Sequence, residues 1–254
     1  MMGKYYKIIV LVIFSFFLFA SNSYAVSPVI RMSGGDSSTC DTSNIVFWWR
    51  CETTTLDATN DYSSASGTPT ISSIDVATDA VKYGSKGLDV ADAWSYLYYA
   101  TPSAALDDEF RVGFWIYINS WGNNAGIVRI TAAAGDNTTK LIFGTGDELS
   151  WQWRDNASQR STVTTVDANL ATSTWYWIEL AAKTSTNYRE ILVGGVQKAI
   201  SSDAISSFAF TPLLLYFGDF EGVSVDYYID NVIISTDSTA DLFTDCKDEL
   251  EWPE

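Results

Sequence analysis

The stretch Phe110-Arg111-Val112-Gly113-Phe114-Trp115-Ile116-Tyr117-Ile118 decides the fold class. Every second residue, Phe110, Val112, Phe114, Ile116 and Ile118, is large and apolar. Successive side chains of a strand point to opposite sides, so these five share one face. A helix would scatter them around its circumference, and the run therefore reads as a strand with one buried face. Leu149, Trp151 and Trp153 repeat the alternation. Outward from there, short β-branched and aromatic runs recur at 45–52, 175–181, 190–193, 213–217 and 226–234, separated by clusters of Gly, Asn, Asp, Ser and Thr. No window keeps a 3.6-residue apolar period for more than about two turns. Gly194-Gly195 between Val193 and Val196 reads as a two-residue hairpin turn, which needs positive φ at both positions. The expectation is an all-β domain over 44–236, two antiparallel sheets stacked as a sandwich.

The ends of the chain read differently. Lys4 and Lys7 precede an apolar run over 8–20, and Ser23-Tyr24-Ala25 offers a small-x-small cleavage site. At the helical rise the apolar run covers about 20 Å, short of the ~30 Å hydrocarbon core. Residues 1–25 are thus expected to be a secretory signal peptide and 26–43 a polar leader. The protein is then exported, to the extracellular space or a periplasm, with no membrane insertion after cleavage. Residues 237–254 form an acidic extension, expected either to lie on the domain or to hang in solvent.

Composition removes whole classes of function. The 254 residues hold 31 acidic and 15 basic side chains and no histidine. A Ser/His/Asp or Cys/His relay is impossible, and no zinc site can use imidazole. Loss of the signal peptide with Lys4 and Lys7 deepens the net charge from −16 to −18. Such a body repels phosphate backbones and anionic lipid, which argues against nucleic-acid partners.

Three ordered segments resemble the laminin-G-like branch of the concanavalin A-like lectin/glucanase superfamily. The first is Ile45-Val46-Phe47-Trp48-Trp49-Arg50-Cys51-Glu52, followed by Tyr83-Gly84-Ser85-Lys86-Gly87-Leu88. The second is the central run that begins at Phe110 and ends with Trp115-Ile116-Tyr117. The third starts at Thr174-Trp175-Tyr176-Trp177-Ile178-Glu179, passes through the Val193-Gly194-Gly195 turn and closes on Tyr228-Ile229-Asp230-Asn231-Val232-Ile233-Ile234. The resemblance implies a jelly roll whose first and last strands are antiparallel neighbours. It also places Trp49, Trp115 and Trp175 at the family's buried tryptophan positions.

That geometry implies a Cys40–Cys246 disulfide, since the two cysteines flank the ends of those neighbouring strands, with Cys51 left as a buried thiol. A bond across some 200 residues contributes on the order of 4–5 kcal/mol in the chain-entropy model. A short-range Cys40–Cys51 bridge is the alternative. The resemblance further implies calcium as a structural cofactor, held by Asp230 on the last strand with Glu52 approaching from the end of the first. Calcium asks only for oxygen ligands, which suits an acidic exported chain. The same two residues also read without a metal, Asp230 as an acceptor for backbone hydrogen bonds and Glu52 as a solvated edge residue.

Sugar recognition combines aromatic faces with amide and carboxylate side chains. Trp121 and Asn123 lie in the turn-rich loop Asn119-Ser120-Trp121-Gly122-Asn123-Asn124. Trp151 with Trp153, and Trp177 with Glu179, line sheet faces. These six are the candidate ligand-binding residues, with core or rim packing as the competing reading. Catalysis has less support. The superfamily's glucanase string Glu-x-Asp-x-x-Glu does not occur. Asp226 and Asp230 share a strand face with backbones about 13 Å apart, beyond the about 5–9.5 Å that glycosidase carboxyls need. Asp219 and Glu221 sit between Gly218 and Gly222 and read as a solvated loop. The function expected is a non-catalytic recognition module, first for an extracellular glycan. A structural or adhesive protein that meets a cell-surface protein comes second, and a polysaccharide hydrolase or lyase third.

Overall fold

A computed structural model of the chain describes residues 44–54, 62–63, 70–101, 106, 109–132, 138–146, 148–155, 159–164, 170–203, 213–240 and 242. The expected signal peptide (1–25), the leader (26–43) with Cys40, and the end of the extension with Cys246 lie outside the described residues. In chain order the strands are β1 (Ile45–Trp49), β2 (Tyr62–Ser63), β3 (Thr70–Ser72), β4 (Asp75–Ala77), β5 (Gly87–Val90), β6 (Tyr96–Thr101), β7 (Glu109–Ser120) and β8 (Gly126–Ala132). They continue with β9 (Thr138–Phe143), β10 (Leu149–Asp155), β11 (Gln159–Thr164), β12 (Trp175–Lys183), β13 (Tyr188–Val193), β14 (Val196–Ser201), β15 (Leu213–Gly218) and β16 (Asp226–Ser235).

Among the described residues these form two antiparallel sheets. The larger runs β14-β13-β12-β7-β16-β1-β2, with β5 paired to the first half of β16 and β4 to β5. The smaller runs β11-β10-β9-β8-β15-β6-β3. This is the jelly-roll sandwich expected. Phe110, Val112, Phe114, Ile116 and Ile118 are all buried between the sheets. Across the interface Phe47 stacks on Phe217 with centroids 5.6 Å apart, and Phe110 stacks on Trp153 at 6.3 Å and 12°. The Gly194-Gly195 turn has φ of +58° and +73°, the left-handed pair that the hairpin requires.

Strands β1 and β16 are antiparallel neighbours, with Trp48 opposite Ile233 and Trp49 opposite Val232. Thr236 N–H donates to Asn44 O at 2.9 Å, so the start of β1 and the end of β16 lie side by side. Cys51 is fully buried, and its thiol faces Trp49 O. Cys40 and Cys246 lie outside the described residues, and their pairing stays the expectation that the resemblance implies: non-reducing peptide mapping is expected to return a peptide joining them, and a Cys40–Cys51 peptide contradicts it. Beyond β16 the chain keeps to the sandwich as far as it is described. Ser238 is buried with its hydroxyl on Glu109, and Leu242 packs with Ile45, Trp177 and Ile233 on the outer face of the larger sheet.

Candidate functional site

The alternation that buries Phe114 and Ile116 of β7 turns Trp115 and Tyr117 to the outer face of the larger sheet. Trp177 and Trp175 of β12 lie directly opposite them, and Tyr228 of β16 lies opposite Tyr117 from the other side. The rings touch. Tyr117 stacks on Tyr228 at 5.7 Å and 14°, and meets Trp175 at 5.4 Å. Trp115 meets Trp177 edge-on at 5.6 Å. One register line thus runs Asp75, Asp89, Tyr228, Tyr117, Trp175 across five strands.

At the β12 side the face deepens into a cavity of about 410 Å³ lined by Trp115, Trp175, Trp177, Gly194, Val196 and Lys198. At the other side polar groups gather. Asn119 Nδ2 donates to Asp226 at 2.8 Å, and the Tyr228 hydroxyl donates to Asp79 at 3.4 Å. Burial, then the neighbouring Asp79 and Asp226 carboxylates, push the Asp89 carboxyl above its ordinary range. The face therefore offers apolar ring surfaces flanked by acceptors, a phenol and an amide, the groups that bind a polyhydroxylated ring.

A loop at 82–85 flanks this groove, and the two residues expected at a metal hold it down. Asp230 Oδ2 accepts from the backbone N–H of Lys82 at 2.8 Å and of Tyr83 at 2.9 Å. Glu52 accepts from the Ser85 N–H at 2.8 Å and its hydroxyl at 2.6 Å. Gly84 has φ +74°, and a Cβ there would lie 1.8 Å from Glu52 Oε1, so glycine is what lets the carboxylate reach the loop. The Lys82 ammonium lies 4.6 Å from the centre of the Trp115 ring. Of four carboxylate oxygens, Asp230 Oδ1 alone is buried without a hydrogen-bond partner. No group of three metal-ligating side chains forms among the described residues. Calcium takes six to eight oxygens, and three N–H groups and the Ser85 hydroxyl already point at the other three, so the described residues do not fit it as they stand. The geometry matches the reading of Asp230 as an acceptor for backbone hydrogen bonds.

The other candidates divide. Trp151 and Trp153 are buried between the sheets, where no ligand reaches, and Trp151 Nε1 donates to Thr139 Oγ1. Alternation marks a face of β10 as apolar but does not tell the inner face from the outer. Trp177 is buried as the groove floor, with its Nε1 on Glu179. Glu179 is fully buried and bonded to Arg111, a structural ion pair beneath Ser238 rather than a ligand contact. Trp121 is half-buried, edge-on to Phe143 at 5.0 Å, and Asn123 is exposed on the adjoining turn. Trp49 is buried as expected, but Trp115 and Trp175 are not; both are half-buried on the groove.

Tyr117 and Tyr228 belong to this face although they are not among the candidates drawn from the sequence. The signal was available, because a strand with Phe114 and Ile116 inward must turn its other residues outward. Asp219 is no solvated loop residue. It is fully buried and accepts the N–H groups of Trp94, Gly126, Glu221 and Val223. Glu221 pairs with Lys140 at 2.8 Å.

No described helix is long and apolar enough to cross a membrane. No family profile and no curated protein matches the sequence. Solved structures do resemble it. The receptor-binding domain of botulinum neurotoxin D aligns with a TM-score of 0.59 at 13% identity, over 76% of this chain and 49% of that one. The serotype G binding domain aligns at 0.60 and 13%, over 79% and 51%. A serotype D ligand-binding domain in complex with N-acetylneuraminic acid aligns at 0.58 and 14%, over 76% and 47%. The chain spans about half the length of these neighbours, and at such identity the likeness is one of fold: a β-sandwich shared with receptor-binding domains.

Proposed function

We propose that this chain is an exported, laminin-G-like, non-catalytic module that binds an extracellular glycan on the outer face of its larger sheet. The observation that carries the reading is the line Tyr228, Tyr117, Trp175, three half-buried rings in contact on an open face beside a cavity. Rings left half-exposed in a row cost hydration free energy unless a ligand covers them. Solved structures that share this fold over about half their length include receptor-binding domains, one of them in complex with N-acetylneuraminic acid, which is consistent with this role.

A glycan array with the mature protein tests it. Trp175→Ala and Tyr117→Ala are each expected to weaken any hit by about thirtyfold, the equivalent of roughly 2 kcal/mol of lost ring contact. Trp121→Ala is expected to leave the same hit in place. Binding that survives both groove variants removes the reading. A second reading, adhesion to a cell-surface protein, draws on the edge strand β14, where Val196 and Ile200 are 58% and 57% exposed. It gains ground if the array is blank.

A further inference from the structure

The outer face of the smaller sheet carries a second ordered line. Tyr98 of β6, Tyr216 of β15, Arg129 of β8, Lys140 of β9 and Gln152 of β10 lie opposite one another in a single register. Tyr98 and Tyr216 stack at 4.7 Å and 28°. The Arg129 guanidinium lies over this aromatic ground, its Cζ 3.8 Å from the Tyr216 centroid and 4.8 Å from that of Phe220. Lys140 is already neutralised by Glu221. Arg129 is not. Its Nε is buried with no hydrogen-bond partner, and among the described residues no carboxylate pairs with it. In a chain with twice as many acids as bases, an arginine that pairs with no carboxylate among the described residues is a poised anion receptor.

The surroundings are rigid. Asp219 ties Trp94, Gly126, Glu221 and Val223 together through their N–H groups, and Tyr216 meets Phe220 at 6.2 Å. Trp94, 55% exposed, lies against Gly222, where a Cβ would come within 2.2 Å of the indole. An exposed tryptophan thus borders the row on a fixed loop.

We propose that this row is a second binding site, for one carboxylated sugar residue, with the carboxylate on Arg129 and the sugar ring against Tyr98. A planar guanidinium matches a carboxylate through two parallel hydrogen bonds, which a lysine does not. The net charge of −16 narrows the ligand further. Within a Debye length of about 8 Å a single carboxylate on Arg129 feels mainly that guanidinium, since Lys140 and Glu221 cancel each other, whereas a polyanion extends into the repulsive field of the whole body. The occupant is therefore a single or terminal uronic acid and not a sulfated polymer. This site lies on the face opposite the aromatic groove and does not depend on it.

The test is a chemical-shift titration of the mature protein with methyl β-D-glucuronide and methyl α-D-galacturonide, each beside its methyl ester. The acid of at least one pair is expected to shift resonances of Tyr98 and Arg129 and the ester to bind at least tenfold more weakly. Arg129→Met is expected to lose the acid preference, and Arg129→Lys, which keeps the charge without the fork, to recover only part of it. Trp175→Ala should leave acid binding untouched. Equal binding of acid and ester, unchanged binding by Arg129→Met, or no shifts with either acid up to roughly 20 mM overturns the proposal.

Discussion

Glu179→Leu is expected to destabilise the fold by about 3–5 kcal/mol, the range found when one member of a buried ion pair is removed. Glu179 has no exposed surface, and Arg111 on the neighbouring strand is 6% exposed. One Glu179 oxygen takes the Arg111 Nε and the other takes Trp177 Nε1 at 2.9 Å. Arg111 also donates to Ser238 O at 3.1 Å, and Glu190 lies 3.8 Å from its Nη2. Leucine strands a buried guanidinium with only the more distant Glu190 for charge compensation, and leaves an indole N–H without its acceptor. The Arg111→Met, Glu179→Leu double variant removes both charges and is expected to recover most of the loss, because two ions never taken out of water incur no desolvation cost. Urea unfolding of the three proteins measures this. A single variant within about 1 kcal/mol of the parent would mean that water reaches the pair. The same bonds anchor Ser238, so loss of Glu179 is also expected to loosen 236–240 from the sheet.

This pair shows how far the sequence could be read. Alternation in β7 disclosed a buried face, and with it the sandwich, because period two is a property of the backbone. It also implied an opposite face, and there the reading stopped short. Arg111, Gly113, Trp115 and Tyr117 are its members, yet Trp115 was assigned to the core by resemblance. Trp151 and Trp153 failed in the other direction, since a tryptophan on an alternating strand is equally consistent with a core face or a binding face. Only the position of β10 over Phe110 decides it. Glu179 reads as a sugar ligand from the sequence because it shares a strand face with Trp177. Its partner sits 68 residues away. Register across strands, which sets such meetings, has no local signature in the chain. The same holds for the Tyr228, Tyr117, Trp175 line and for the row through Arg129: each is a product of pairing, not of neighbouring residues.

Asp230→Asn is expected to stabilise the protein above neutral pH by roughly 2–4 kcal/mol, with the gain fading to nothing below about pH 4. Burial, outweighing the Tyr83 and Lys82 N–H bonds and reinforced by the Glu52 charge, raises the Asp230 carboxyl from 3.8 to about 7. The folded protein then holds this proton more tightly than the unfolded chain does. Folding is favoured while the carboxyl is protonated in the native state, and that advantage is lost as pH climbs from about 4 through about 7. Three units of displacement correspond to about 4 kcal/mol, at 1.36 kcal/mol per unit. An asparagine oxygen can still accept both backbone N–H groups, and it carries no charge at any pH. Glu109 and Asp237, whose carboxyls are held low by Lys183 and by Thr239 respectively, act in the opposite sense at acid pH. They are present in both proteins and cancel from the difference. Denaturant unfolding of parent and variant from pH 4 to pH 9 gives that difference directly. A flat difference, or one that shrinks as pH rises, would place the Asp230 ionisation near that of an ordinary carboxylate and detach the 82–85 loop from any proton linkage.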